Sequence, residues 1–178
     1  FMERVMHGFG QSRSKHIQGF YAELAGVDPD PEFLESEIRR FTGICEPMCA
    51  DAGWCAGSRE FVESCQQAGV LRYVLSGTPQ EPLEAMLHAN GAAVLFDRIV
   101  GSPPAKPESM ERILAEVGVP ADRSLFIGDA NADRLAAEHV GAHFAYLPSE
   151  AFRPDGVIST EVSDLRELLA DSNQGSPD

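Results

Sequence analysis

From about Arg59 onward the chain alternates at short, regular intervals between helical and strand patterns, and this alternation limits the possible folds more than any other feature. The stretch "SREFVESCQQAG" spaces Phe61, Val62 and Cys65 along one helix face and stops at Gly69. "VLRYVLSG" reads as a strand. "TPQEPLEAMLHANG" then reads as a helix with Thr78 as N-cap, Pro79 at the first helical position and Glu81 completing a capping box, ending at Gly91. "FDRIVGS", "SLFIGD" and "HFAYL" are the next strands; "ESMERILAEVG", closed by Gly118, and "DRLAAEHVG" are the helices between them. Strands separated by helices of this length predict a Rossmann-like parallel sheet with helices on both faces. Ligands of such sheets bind at the carboxyl ends of the strands.

The first fifty residues follow another pattern. "SKHIQGFYAELAG" and "PEFLESEIRRFTGICEPM" carry helical spacing with no strand between them, and "VDPDPE" is a turn. The expected organisation is a helical subdomain over 1–52, an α/β core over 53–170 and a disordered polar tail over 171–178.

Three strand ends carry candidate chemistry. Ser76, Gly77 and Thr78 offer a hydroxyl and backbone amides at a helix N-terminus, an arrangement suited to an anion. Lys106 stands just before a helix, where its ammonium would balance phosphate charge. Asp129 and Asp133 follow the "SLFI" strand and are hard oxygen ligands of the kind Mg²⁺ takes. Each alone reads as well as a helix cap, a solvated charge or a turn; their shared place at strand ends favours a joint site.

These segments carry a resemblance. "LSGTPQEPLEAMLHANG", "GSPPAKPESMERILAEVG" and "LFIGDANADRLAAEHVGA" resemble the second, third and fourth motifs of the haloacid dehalogenase-like hydrolases, and "GFGQSRSKHIQGFYAELAG" is similar to the helical cap of members such as phosphoglycolate phosphatase and β-phosphoglucomutase. The resemblance implies that Ser76, with the amides near Gly77 and Thr78, holds phosphate oxygens. It implies that Lys106 steadies the nucleophile and the transferring phosphoryl group, that Asp129 ligates Mg²⁺, and that Asp133 holds a metal water or the layer behind it. Arg13 is a candidate substrate contact from the cap, and Ala130 replaces a small polar residue often found there in relatives.

The family's first motif, an apolar strand ending in Asp-x-Asp, is absent from the sequence. The pair Asp28 and Asp30 follows no strand, so neither serves as the nucleophile. In the family fold the missing strand lies centrally, between "RYVL" and "SLFI", so a strand-length segment is expected upstream of Phe1. The function implied for the complete protein is Mg²⁺-dependent hydrolysis of a small phosphorylated metabolite through an aspartyl-phosphate. Alternatives are a sugar-phosphate mutase or a non-catalytic phosphate-binding relative. Dehalogenation fits poorly with the paired acids, phosphonate hydrolysis would need Lys15 as a Schiff base, and a serine hydrolase on Ser76 lacks the G-x-S-x-G elbow.

Composition sets further limits. A net charge of −14 over 178 residues argues against nucleic acid or an anionic membrane as partner. No run of about 18 apolar residues predicts a spanning helix. Cys45, Cys49, Cys55 and Cys65 lack zinc-module spacing, and Pro47 is expected to break the helix that would align the first two, so the thiols read as reduced and the protein as cytoplasmic.

Overall fold

The computed structural model describes Glu3, residues 8–149 and residues 153–170; the tail expected over 171–178 lies outside them. Helix α1 spans Arg13–Phe20, with the Ser12 hydroxyl accepting from the Lys15 amide, and runs on as a π-helical turn, Tyr21–Ala25, to Gly26 at φ +64°. There the chain needs the left-handed conformation that glycine adopts without cost. Asp30 caps helix α2, Pro31–Ala50, by accepting from the Phe33 amide, with Pro31 at the first turn where its missing donor is no loss. Contrary to expectation, α2 continues through Pro47. Proline's φ suits a helix, and so close to the C-terminus the missing N–H costs one hydrogen bond. Cys45 and Cys49 therefore share a helix face, and all four thiols are free.

Helix α3, Ser58–Gln67, opens the alternating part, followed by β1, Tyr73–Pro79; α4, Gln80–Ala89; and β2, Arg98–Ser102. Next come α5, Lys106–Val117; β3, Leu125–Gly128; α6, Asn131–Val140; and β4, His143–Tyr146. A short β5, Thr160–Glu161, and α7, Glu167–Ala170, close the described chain. Gly118 and Gly141, at φ +67° and +80°, cap α5 and α6 as the sequence predicts.

The capping box at Thr78 does not form. Strand β1 stays extended to Pro79, which becomes the N-cap of α4 without a side-chain cap bond. The cause lies in the sheet: Leu75 pairs with Val100, but Pro79 pairs with Ser102, so Ser76, Gly77 and Thr78 stand against the single Gly101. Propensity placed a cap where tertiary pairing holds an irregular strand end.

All strand pairs are parallel, as expected, but they form two groups, β1-β2 and β3-β4-β5. Among the described residues β1 and β3 are not bonded neighbours. Strand β5 was not foreseen, being two residues long; Arg153 ties it to the sheet through Glu161 at 2.6 Å while stacking 5.2 Å from the Tyr146 ring centroid. The buried core joins Leu83 and Met86 of α4, Val100 of β2, Met110 and Ile113 of α5 and Ala145 of β4. Ala136 and Ala137 are wholly buried, and small side chains there let α6 lie close to β3 and β4. No helix of the described residues is long and apolar enough to cross a membrane.

Candidate functional site

The strand ends come together around one short segment, Gly10–Ser12. A Cβ on Gly10 would lie 2.8 Å from the Ala130 Cβ and 3.4 Å from the Lys106 Nζ, and Gly10 sits at φ +84°. A Cβ on Gly77 would lie 2.5 Å from the Gln11 carbonyl oxygen and 3.2 Å from that of Gly10. Two glycines thus allow the segment before α1 to wedge between the end of β1 and the turn after β3. Neither Gly10 nor Gln11 stood out in the sequence; the pattern "GFG" was the available signal.

Lys106 is the first residue of α5, delivered by a turn with cis peptide bonds at Ser102–Pro103 and Pro103–Pro104. Its Nζ lies 2.5 Å from Asp133 Oδ1, with the two side chains 13% and 5% exposed. Burial makes this pairing obligatory, because either charge left alone in the interior costs several kcal/mol, on the order of 3–5. The other oxygen of Asp133 accepts from the Ala130 amide at 3.1 Å. The turn at Gly128 is built for this contact: a Cβ there would lie 2.5 Å from Asp133 Oδ2. Both Asp133 oxygens are thus engaged within the protein, which suits a residue that orients Lys106 and the Gly128–Ala130 turn.

Asp129 stands differently. It is half-buried at the mouth of β3, and its Oδ2 accepts from the Ser149 hydroxyl at 2.6 Å. Ser149, beyond β4, carried no signal in the sequence. Among the described residues no group of three or more His, Cys, Asp or Glu side chains could hold a metal. Mg²⁺ commonly binds through one or two carboxylates, with waters and phosphate oxygens completing its octahedron. Asp129 therefore fits as one ligand of such an ion, and the described residues do not supply a full cage.

The expected anion cradle is altered. Ser76, Gly77 and Thr78 lie in the irregular end of β1 rather than on a helix N-terminus, and the Thr78 amide donates to Ser76 Oγ at 3.1 Å. Arg13 reaches this point from α1: its Nη1 donates to Thr42 Oγ1 at 2.6 Å and its Nη2 to Thr78 Oγ1 at 3.4 Å, with the guanidinium 5.5 Å from the Phe41 ring centroid. Thr42, buried at 7% exposure, was missed in the sequence, since a lone threonine in a helix has no distinguishing pattern. Lys15 is exposed, and Asp28 and Asp30 make local contacts, Asp28 accepting from Gln18 and Asp30 capping α2. A separate hollow of about 430 Å³ lies beside β2, lined by Gln80, His88, Arg98 and Arg112 among others; it contains none of the candidate residues above.

Parallel strands whose carboxyl ends gather a buried lysine–aspartate pair, a second acid and a glycine-lined turn define a Rossmann-like α/β protein, and that rim is where folds of this kind bind ligands. The chain belongs to the haloacid dehalogenase-like hydrolases: the model of that family matches residues 51–141, just over half of the chain. It is 28% identical to phosphoglycolate phosphatase of Pseudomonas syringae pv. tomato over 123 residues, 64% of this chain and 45% of that one. It is 37% identical to enolase-phosphatase E1 of Marinobacter nauticus over 76 residues, 42% of this chain and 33% of that one. The chain thus spans less than half the length of these relatives. The fold is shared with a mutant of CbbY from Rhodobacter sphaeroides in complex with xylulose-(1,5)bisphosphate, at TM-score 0.78 and 20% identity over 94% of this chain and 79% of that one. A hydrolase from Pseudomonas syringae superposes at TM-score 0.77 with 18% identity, over 99% and 84% of the two chains.

Proposed function

We propose that the complete protein is a cytoplasmic Mg²⁺-dependent phosphatase of small phosphorylated metabolites. The observation that carries this reading is the buried Lys106–Asp133 pair at the rim where the Asp129 turn and the end of β1 meet the Gly10–Ser12 segment. The names of the relatives, phosphoglycolate phosphatase and enolase-phosphatase, support the substrate class. In this reading residues 1–52 are the cap, 53–170 the core, and the nucleophilic aspartate arrives on a strand that fits between β1 and β3. The separation of the two sheet groups supports that strand, since among the described residues the outer edges of β1 and β3 have no ladder neighbour.

The chain's own residues have distinct tasks. Ser76 Oγ, held by the Thr78 amide, and the Gly77 amide orient the phosphoryl oxygens. Lys106, fixed by Asp133, stands beside the attacking carboxylate and offsets the charge that gathers on the phosphoryl group. The incoming carboxylate displaces the ester oxygen from phosphorus, and water then cleaves the aspartyl-phosphate, returning the carboxylate and releasing orthophosphate. Mg²⁺ held at Asp129 would neutralise phosphate charge when bound. Arg13, already at Thr78, would touch the substrate from the cap side. Local cations at this rim also explain how a chain of net charge −14 receives an anion.

The test is an assay of orthophosphate release from a panel of phosphorylated metabolites by the full-length protein, with and without Mg²⁺. Release that stops on chelation and in Asp129→Ala is the expected result. Release that survives both overturns the metal role, and transfer of phosphate within the substrate without release marks a mutase instead.

A further inference from the structure

The slip in the β1-β2 ladder is bridged by a side chain. Where β1 spends three residues, Ser76 to Thr78, against Gly101, the carboxamide of Gln80 reaches the backbone of β2: its Nε2 donates to the Ile99 carbonyl at 3.0 Å, and its Oε1 accepts from the Gly101 amide at 2.6 Å. A carboxamide carries the same donor and acceptor as a peptide group, so Gln80 gives β2 the pair of contacts that a regular neighbouring strand would give. The second Nε2 proton goes to Glu84 Oε1 at 2.6 Å, one turn along α4. The orientation is therefore unique, because the flipped amide would set its oxygen against both the Ile99 carbonyl and the Glu84 carboxylate. Gly101 completes the clamp: a Cβ there would lie 2.6 Å from Gln80 N and Cα and 2.8 Å from the Thr78 carbonyl oxygen. The excursion is thus pinned to β2 two residues after Thr78.

We propose that Gln80 is a positioning residue, whose carboxamide stands in for a strand's peptide group on β2 and so sets the placement of Ser76, Gly77 and Thr78. This rests on the reading of those three residues as the phosphoryl-binding stretch. Gln80 touches no reacting atom; it acts through the shape of the loop. Removing its hydrogen bonds frees the end of β1 to drift, and displacements near 1 Å at such a site cost up to about a hundredfold in rate.

The experiment uses the full-length protein, with p-nitrophenyl phosphate as substrate and inorganic phosphate as competitive inhibitor. Gln80→Met keeps length and volume without the hydrogen bonds. Its KM and its inhibition constant for phosphate are expected to rise about tenfold or more. Leu83→Ala, which removes buried volume from the same helix, is the control: it lowers Tm and leaves both constants in place. Should Gln80→Met fail to fold, Gln80→Glu replaces it; that variant keeps the acceptor for Gly101 and loses the donor to Ile99, and the same rise is expected. Either folded variant with constants within twofold of wild type overturns the proposal. If the wild-type protein hydrolyses the ester and inorganic phosphate does not compete, or if it hydrolyses no ester at all, the reading of the loop itself is wrong and the inference falls with it.

Discussion

Lys106 Nζ and Asp133 Oδ1 lie 2.5 Å apart, one at the start of α5 and the other in the first turn of α6. Asp133 also holds the Ala130 amide, so one carboxylate joins the turn after β2 to the turn after β3. The pair is as much a structural tie as a chemical one. Lys106→Met or Asp133→Leu, each leaving a buried charge alone, is expected to lower stability by about 3–5 kcal/mol, whereas the double variant recovers most of that loss. Urea unfolding of the four proteins measures it. Single variants no less stable than wild type would show that the pair is not a buried charge pair in solution.

Gly77→Ala forces a methyl to within 2.5 Å of the Gln11 carbonyl oxygen, which is backbone and cannot rotate away. The expected cost is about 1–3 kcal/mol in stability, accompanied by displacement of the Gly10–Ser12 segment. Denaturant unfolding checks the first, and limited proteolysis within residues 8–12 checks the second. Gly43→Ala, where a Cβ meets nothing within 4 Å, is the matched control and is expected to be neutral or slightly stabilising.

Arg13 donates to the buried hydroxyl of Thr42. Arg13→Ala leaves that hydroxyl without this donor and removes the reach to Thr78; a loss of about 1–3 kcal/mol is expected. Arg13→Lys, lacking the forked guanidinium, is expected to recover less than half. Thermal unfolding of the series, compared with Thr42→Val, decides whether the contact is made: Arg13→Ala and Thr42→Val together should cost less than their sum.

Asp164 anchors the C-terminal turn. Arg166 donates to it from its guanidinium and from its backbone amide at 2.9 Å, and these bonds hold its carboxyl down from 3.8 to about 2. A depressed folded pKa means stability fully present above the unfolded value and lost as pH falls toward the folded one. Protection of the Leu165 amide, which donates to the Ala56 carbonyl at 3.0 Å, is therefore expected to fall between about pH 4 and pH 2. Amide exchange across that range reads it. Asp164→Asn should remove this step and keep only the smaller one from Glu167, whose carboxyl is also lowered by the amides of Asp164 and Ser163 and the Ser163 hydroxyl. An unchanged profile in Asp164→Asn would contradict the anchoring role.

Much of the core was legible because periodicity and punctuation are local properties. Gly118 and Gly141 end α5 and α6 where the glycine signal stands, and the order of β1, β2, β3 and β4 follows from the alternation. The reading failed where a local signal met a tertiary demand. Thr78, Pro79 and Glu81 form a good capping pattern, yet pairing with β2 keeps the chain extended to Pro79. Pro47 reads as a stop, yet lies near enough to the end of α2 to be absorbed.

The sequence by itself determined the alternating α/β frame, its parallel connections and the candidacy of Ser76, Lys106, Asp129 and Asp133, since all of these depend on spacing along the chain. Only the tertiary structure decided that Asp133 gives an oxygen to Lys106, that Asp129 turns to Ser149, and that Gln80 bridges the slip onto β2. Those choices depend on which side chains meet across loop closures of 20 or more residues, and hydrogen-bond geometry is fixed by that meeting rather than by neighbours in sequence.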